Sequence, residues 1–246
     1  MKNIVIFGAN SEIAKECIKL WSGNCNFYFI VRKKYQLDNL ISYLSNKNEG
    51  SIKIIESDLM NIESHPKIWN EIIKDPKFKK IDLLFLAQGK LENQLNIQNN
   101  FDLINENIKI NALSIISIIT LATNVFEKQK FGTIAVISSV AGDRGRASNY
   151  IYGSSKSFIS SFLSGLRQRL SKLNVNVLTI KPGIINTPMT KKLKKSFLSA
   201  SPQYAAQIIV KSIDRKKNII YVPFFWYFIM FVIKIIPERI FKKLSL

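Results

Sequence analysis

Apolar runs of strand length alternate with helix-length segments along nearly the whole chain, and a glycine breaks the pattern directly after the first run. Ile4–Phe7 is continuously apolar and ends at Gly8. Ser11–Trp21 follows, with Ile13, Cys17, Ile18 and Leu20 at helical spacing. Phe27–Val31 is apolar on both faces, as a parallel strand covered by helices on both sides requires. Further strands are expected at Ile52–Ser57, Ile81–Ala87, Thr133–Ser138, Val175–Ile180 and Ile219–Val222. Helices are expected at Pro66–Lys74, about Asn99–Lys130, Tyr150–Leu173 and Ser201–Lys216. The polar stretches near 45–50 and 90–100 read as loops. This order predicts one α/β domain built on a doubly wound parallel sheet. The domain is expected to take residues 1–222, with substrate-loop helices over 188–216. A C-terminal basic-aromatic extension fills 223–246.

Apolar residues make up 47% of the 246, which excludes general disorder. Two cysteines and one histidine leave no disulfide framework and no structural zinc site, so no metal is expected. The thiols suit a reducing cytosol, and Met1–Asn3 runs straight into the first strand with no secretory leader expected. His65 precedes Pro66 in a polar stretch and is expected at the surface without a partner. Trp21 and Trp69 fall on apolar helix faces and read as core. The helix carrying Ile108, Ile110, Leu113, Ile115, Ile116, Ile118 and Ile119 is apolar nearly all round. It therefore calls for burial against the sheet on one side and a partner subunit on the other.

Net charge is +19, and the excess is uneven: residues 181–246 hold 13 Lys/Arg against 2 Asp/Glu. The same region carries Val222–Ile233, twelve uninterrupted apolar residues, six of them aromatic. That is short of the roughly 20 residues a spanning helix needs. Three readings compete: a cover for a substrate pocket, an interfacial membrane anchor, and a nucleic-acid surface. The aromatic residues form one block and are not interleaved with basic ones, so nucleic acid is not expected. An anionic membrane surface ranks first, met by the aromatic block together with Lys234, Arg239, Lys242 and Lys243.

Gly8-Ala9-Asn10-Ser11 lies between the first strand and the first helix, where a dinucleotide pyrophosphate meets helix N-terminal amides. Glu12 and Ala14 stand where two further glycines would be expected. Tyr152 and Lys156 are one helical turn apart, so a phenol and an ammonium share a face, and the cation is expected to lower the phenol's pKa. Ser139 ends the strand before that helix. These groups would converge at the carboxyl ends of the strands.

On these motifs the chain resembles the short-chain dehydrogenase/reductases over about residues 3–222, which implies a Rossmann-type fold. The resemblance implies a catalytic set of Asn111, Ser139, Tyr152 and Lys156. Tyr152 would be the general acid, Ser139 the donor to the substrate oxygen, and Lys156 the holder of the nicotinamide ribose. Asn111 would hold a water in the proton relay. The cofactor contacts implied are Gly8, Asn10, Ser11, Ile13, Asp58, Leu59, Ala87, Gly89, Pro182, Gly183, Ile185 and Thr187, besides Tyr152 and Lys156. A homodimer or homotetramer is implied as well. Strand two ends in Arg32-Lys33-Lys34, with no acidic residue to bind an adenosine 2′-hydroxyl. Cations there suit a 2′-phosphate, so NADP(H) is expected over NAD(H), with Arg32 as a contact.

The expected activity is hydride transfer to a ketone or aldehyde at the inner face of the cell membrane. More narrowly, the Ser-Glu-Ile loop and basic-aromatic tail are similar to those of the decaprenylphosphoryl-keto-pentofuranose reductases, which implies a lipid-linked keto-sugar substrate. The alternatives are a lipid ketone or other small carbonyl as substrate, and a non-catalytic NAD(P)-binding sensor or scaffold.

Overall fold

The computed structural model describes residues 1–191 and 197–244. In chain order the first half runs β1 (Lys2–Phe7), α1 (Glu12–Trp21), β2 (Cys25–Val31), α2 (Asp38–Ser45), β3 (Ile52–Glu56), α3 (His65–Lys74), β4 (Leu83–Leu86), α4 (Gln94–Ile97), α5 (Phe101–Ile108) and α6 (Ser114–Gln129). The second half runs β5 (Thr133–Ile137), α7 (Tyr150–Leu170), β6 (Asn176–Pro182), β7 (Ile184–Ile185), β8 (Ser199–Ala200), α8 (Pro202–Asp214), β9 (Ile219–Val222), α9 (Phe225–Ile235) and α10 (Glu238–Phe241). Seven strands form one sheet in the order β3-β2-β1-β4-β5-β6-β9. Every neighbouring pair in it is parallel. This is the expected Rossmann-type doubly wound sheet, with its change of winding direction between β1 and β4.

Alternation along each strand feeds two apolar layers. Leu83, Phe85 and Ala87 face one layer with α1, α2 and α8; Leu84 and Leu86 face the other with α3, α6 and α7. Phe7, Phe27, Phe29, Phe78, Phe85 and Phe126 are fully buried between them. Each such side chain contributes about 1.5–3 kcal/mol. Trp21 and Trp69 are core residues, as their helical spacing predicts. The run Phe101–Gln129 is long and apolar enough to cross a membrane. Its Ile115, Ile118, Ile119, Ala122 and Phe126 pack on the sheet, which makes it a core helix of this fold.

Several expectations need correction. The long helix carries a π turn at Lys109–Leu113, a wide turn that displaces the residues around Asn111 from α-helical register. A helix forms at Asp38–Ser45, where the sequence pattern gives none, with Leu40 and Leu44 buried. The stretch near 90–100 contains α4, begun by an Asn93 side chain that accepts from Leu95 N–H. Part of the expected substrate region, residues 192–196, lies outside the described residues.

The tail turns at a cis Val222–Pro223 peptide into α9. Trp226, Met230 and Ile233 follow helical spacing on its inner face and pack with Val140, Ile184, Leu198 and Tyr221. Its outer face is bare: Phe228 is 57% exposed, Phe231 54% and Ile235 63%.

Candidate active site

The crevice opens at the carboxyl ends of β1 and β4, where the winding reverses. Gly8 sits at φ +75, and a Cβ there would stand 2.6 Å from Gln88 N, so the position requires glycine twice over. Gly8 N–H donates to Ile30 O at 2.9 Å, and Ser11 N–H to Gly8 O at 3.0 Å, closing the turn into α1. Ser11 is the N-cap residue of α1, and its hydroxyl makes no capping bond within the helix. Asn10 Nδ2 donates to Gln36 Oε1 at 2.8 Å, which ties the loop to the segment after β2. Ile13 is buried beneath the loop. Glu12 pairs with Lys15 at 3.1 Å in the first turn of α1.

Ser139 follows β5, and its hydroxyl stands close enough to the Tyr152 phenol on α7 to pull the phenol's pKa down. It also accepts from Ala141 N–H at 3.1 Å and makes a long contact to Pro182 O at 3.5 Å. Lys156 is 2% exposed. Its Nζ donates to Ile137 O at 3.1 Å and lies 5.7 Å from the centre of the Tyr152 ring. Asn111, in the π turn, donates through Nδ2 to Lys90 O at 2.8 Å and Asn107 O at 3.0 Å. Its Oδ1 accepts from Lys90 N–H at 3.0 Å. Gly89 lies between the two groups: a Cβ there would stand 3.0 Å from Asn111 Oδ1 and 3.5 Å from Lys156 Nζ. All four expected catalytic residues therefore meet at one place.

Burial pushes the Tyr152 phenol up to about 12, against a smaller downward pull from the Ser139 hydroxyl. Burial lowers the Lys156 ammonium to about 8. The expected lowering of the phenol by the cation is not what sets its pKa here; desolvation outweighs it, because Lys156 is turned to the Ile137 carbonyl. The phenol keeps its proton at neutral pH, as a proton donor must.

The remaining positions line the same edge. Arg32 and Lys33 are exposed and form no ion pair among the described residues. Asp58 is exposed, its carboxylate bound to Met60 N–H at 2.9 Å, and Leu59 is buried behind it. Ala87 N–H pairs with Phe7 O at 2.9 Å beside Gly8. Pro182 ends β6; Gly183 N–H donates to Val222 O at 2.9 Å. Ile185 is buried, and Thr187 N–H donates to Thr190 Oγ1 at 3.1 Å.

A family model described as short chain dehydrogenase matches residues 2–197. The chain belongs to this family. It is an NAD(P)-dependent oxidoreductase acting on CH–OH and C=O groups. It is 23% identical over 241 residues to an uncharacterised oxidoreductase of Mycobacterium tuberculosis, covering 98% of this chain and 96% of that one. It is 23% identical to an NADP-dependent 3-hydroxy acid dehydrogenase of Schizosaccharomyces pombe, covering 89% of each. A Burkholderia cenocepacia short chain dehydrogenase solved in complex with NADP superposes with TM-score 0.82 at 17% identity, covering 100% of both chains.

The residues fit a nicotinamide dinucleotide. Gly8 gives a cradle that a Cβ would fill, α1 offers its first amides, and Lys156 and the free Arg32 and Lys33 supply cations. When bound, that cofactor supplies or accepts the hydride. The protein's own share is to hold the carbonyl oxygen and move a proton.

Functional neighbours outside the expected set also emerge. Asp143 accepts from Lys181 Nζ at 2.5 Å and from Tyr221 Oη at 2.6 Å, pinning the loop after Ser139 to β6 and β9. Arg144 donates to Ile233 O and Ile236 O, each at 2.6 Å, pairs with Glu238 at 2.8 Å and lies 3.6 Å over the Phe241 ring. It therefore caps the end of α9. Gln88 is 7% exposed, and neither atom of its amide has a hydrogen-bond partner among the described residues. The expected surface histidine is instead a buried one. His65, 1% exposed, bonds Ser117 Oγ at 3.0 Å through Nδ1 and Leu59 O at 3.1 Å through Nε2.

Proposed function

We propose that the enzyme uses NADPH to reduce the carbonyl of a lipid-linked keto-sugar at an anionic membrane surface. The observation that carries the reductase reading is the joined set of Ser139, Tyr152, Lys156 and Asn111 around Gly89. Ser139 donates to the carbonyl oxygen, and Tyr152 delivers the proton as charge develops there. Lys156 holds the cofactor ribose and restores the proton. Asn111 keeps one Oδ1 lone pair beside Gly89 for a water that feeds Lys156. Arg32 and Lys33 bind the 2′-phosphate, a preference also supported by the NADP-dependent relative and the NADP-bound fold neighbour.

NADPH oxidation should be followed with a panel of polyprenyl-phosphate keto-sugars, keto-lipids and soluble ketones. Turnover with the lipid-linked sugars above the soluble ketones is expected. No oxidation with any of them would leave a binding protein in place of a reductase.

The membrane part rests on the bare outer face of α9 and the exposed Lys234, Arg239, Lys242 and Lys243 around it. Insertion of aromatic side chains and attraction to anionic lipid act together there, each basic residue adding about 1 kcal/mol near the surface. Co-sedimentation with vesicles should rise with anionic lipid and fall, without vanishing, as salt increases. A triple Phe228→Ser, Phe231→Ser, Ile235→Ser variant should stay in the supernatant. An intact protein that ignores anionic vesicles at low salt would leave α9 as a pocket cover alone.

A further inference from the structure

The Ser139 hydroxyl sits between two segments of chain. On one side is the turn that follows it. Gly142 N–H donates to Ser139 O at 3.1 Å, Asp143 N–H to Val140 O at 3.2 Å, and Ala141 N–H to Ser139 Oγ at 3.1 Å. On the other side is the end of β6, where Pro182 O stands 3.5 Å from Oγ. The same two segments are joined a second time. Asp143 closes the turn, and its Oδ1 accepts at 2.5 Å from Nζ of Lys181, the residue before Pro182. Strand pairing builds the seat for that carboxylate. Lys181 on β6 and Tyr221 on β9 are register partners in a parallel pair, so their side chains leave the sheet on one face. Lys181 Nζ lies 5.4 Å from the centre of the Tyr221 ring, and Tyr221 Oη donates to Asp143 Oδ2 at 2.6 Å. Burial and the neighbouring carboxylate push the Tyr221 phenol's pKa up, which keeps it the donor of that bond. The Asp143 side chain is 3% exposed and that of Lys181 12%.

We propose that Asp143 is a positioning residue for carbonyl reduction: by bridging Lys181 and Tyr221 it fixes the gap between the Ser139 turn and Pro182, and so the place of the Ser139 hydroxyl near the Tyr152 phenol. It acts through Ser139 alone, and the inference rests on the reading of Ser139 as donor to the carbonyl oxygen. An apolar pair would hold the two segments together at least as strongly, since desolvating two charges offsets much of their attraction. What the ion pair adds is short, directional bonds that solvent screens little. The turn and the β6 end also meet α9. Val140 packs with Trp226, Gly183 lies directly under its indole, and Arg144 caps the helix end. Loss of the Asp143 bridge therefore shifts the turn without releasing it.

The test is a cycle of four proteins: wild type, Asp143→Asn, Ser139→Ala and the double variant. Each is assayed with NADPH and the carbonyl that the wild type turns over fastest. Rates are taken in single turnovers with enzyme in excess, which keeps the slow Ser139→Ala proteins measurable. Asp143→Asn keeps the shape and removes the charge that Lys181 meets. It should lower the rate about tenfold, as misplacement of a reacting group does, while NADPH affinity by fluorescence titration stays within a few-fold. In the Ser139→Ala background the same substitution should cost no more than about twofold, because the group it positions is already gone. A merely structural role would slow both backgrounds alike. Tyr221→Phe removes one of the two anchors and leaves the ion pair, so it gives a smaller loss of the same pattern and serves if Asp143→Asn does not fold. An unchanged rate in Asp143→Asn, or equal losses in the two backgrounds, would overturn the proposal and leave the reductase reading standing. A Ser139→Ala protein as fast as wild type would overturn the reading of Ser139 and take the proposal with it. A wild type that reduces no carbonyl would overturn the reductase reading itself.

Discussion

A Cβ on Gly153 would stand 2.7 Å from the carbonyl oxygen of Ala141. Gly142 makes the reciprocal approach, its Cβ position 2.6 Å from the Lys156 carbonyl carbon. Two absent side chains therefore set how closely the turn after Ser139 lies on α7, and with it how near Ser139 stands to the Tyr152 phenol. Gly153→Ala should push the two apart, costing about 1–3 kcal/mol of stability by overpacking. Its kcat should fall at least roughly tenfold through misplacement of the proton donor. Unfolding curves and steady-state rates check this; a variant as active and as stable as wild type would remove the geometric argument.

Tyr152→Phe should lower turnover by about 10²–10⁴, the usual effect of deleting a positioned acid. NADPH affinity, measured by fluorescence titration, should stay within a few-fold. Near wild-type kcat would mean that another group delivers the proton.

Replacing Arg32 and Lys33 together by Ala should weaken NADPH binding and leave NADH almost untouched. Losing a charge-assisted contact costs about 1.5–3 kcal/mol, at least a tenfold effect on affinity. Equal losses for the two cofactors would refute a 2′-phosphate clamp.

Burial holds the His65 pKa below its ordinary value, while the Leu59 carbonyl pulls weakly the other way. The folded state therefore resists a proton that the unfolded chain takes up below about pH 6.5. Above that pH the group does not affect stability. As pH falls through it, stability is lost, and the loss levels off once the folded-state pKa is passed. Thermal unfolding between pH 7 and 5 should show this decline, and His65→Gln should flatten it.

Gln88 is buried with both amide atoms unpaired among the described residues. Gln88→Leu keeps the volume and removes the orphaned groups, so the ligand-free protein should become more stable by about 1 kcal/mol. Urea unfolding midpoints read this directly; a loss of stability would show that the amide is satisfied in solution.

What the sequence made legible was local. The Gly8 turn, the one-turn spacing of Tyr152 and Lys156, and the strand-length apolar runs each depend on residues a few positions apart. Ser139 was legible as the hydroxyl ending a strand, Asn111 was found through family resemblance, and the fold brings both to the same place. What escaped was long-range. Arg144 reaches carbonyls 89 and 92 positions away, and Tyr221 bonds Asp143 across 78. No spacing rule pairs such residues. His65 was misread because its polar neighbours suggested an exposed loop, while its partner Ser117 lies 52 positions away. The pKa of Tyr152 was misjudged in direction, because the Tyr/Lys spacing says which groups are neighbours and nothing of how dry their surroundings are.

The Arg144 cap also bears on the order in which the enzyme becomes competent. Every strand of the sheet precedes α9 in the chain, so during synthesis the sheet can close while the carbonyls of Ile233 and Ile236 are still inside the ribosome. Until they emerge, Arg144 has no helix end to hold, and Gly183 has no indole over it. The loop following Ser139 is thus finished by residues made after every strand of the sheet. A nascent chain can therefore have its dinucleotide crevice formed while the loop after Ser139 still lacks its anchor.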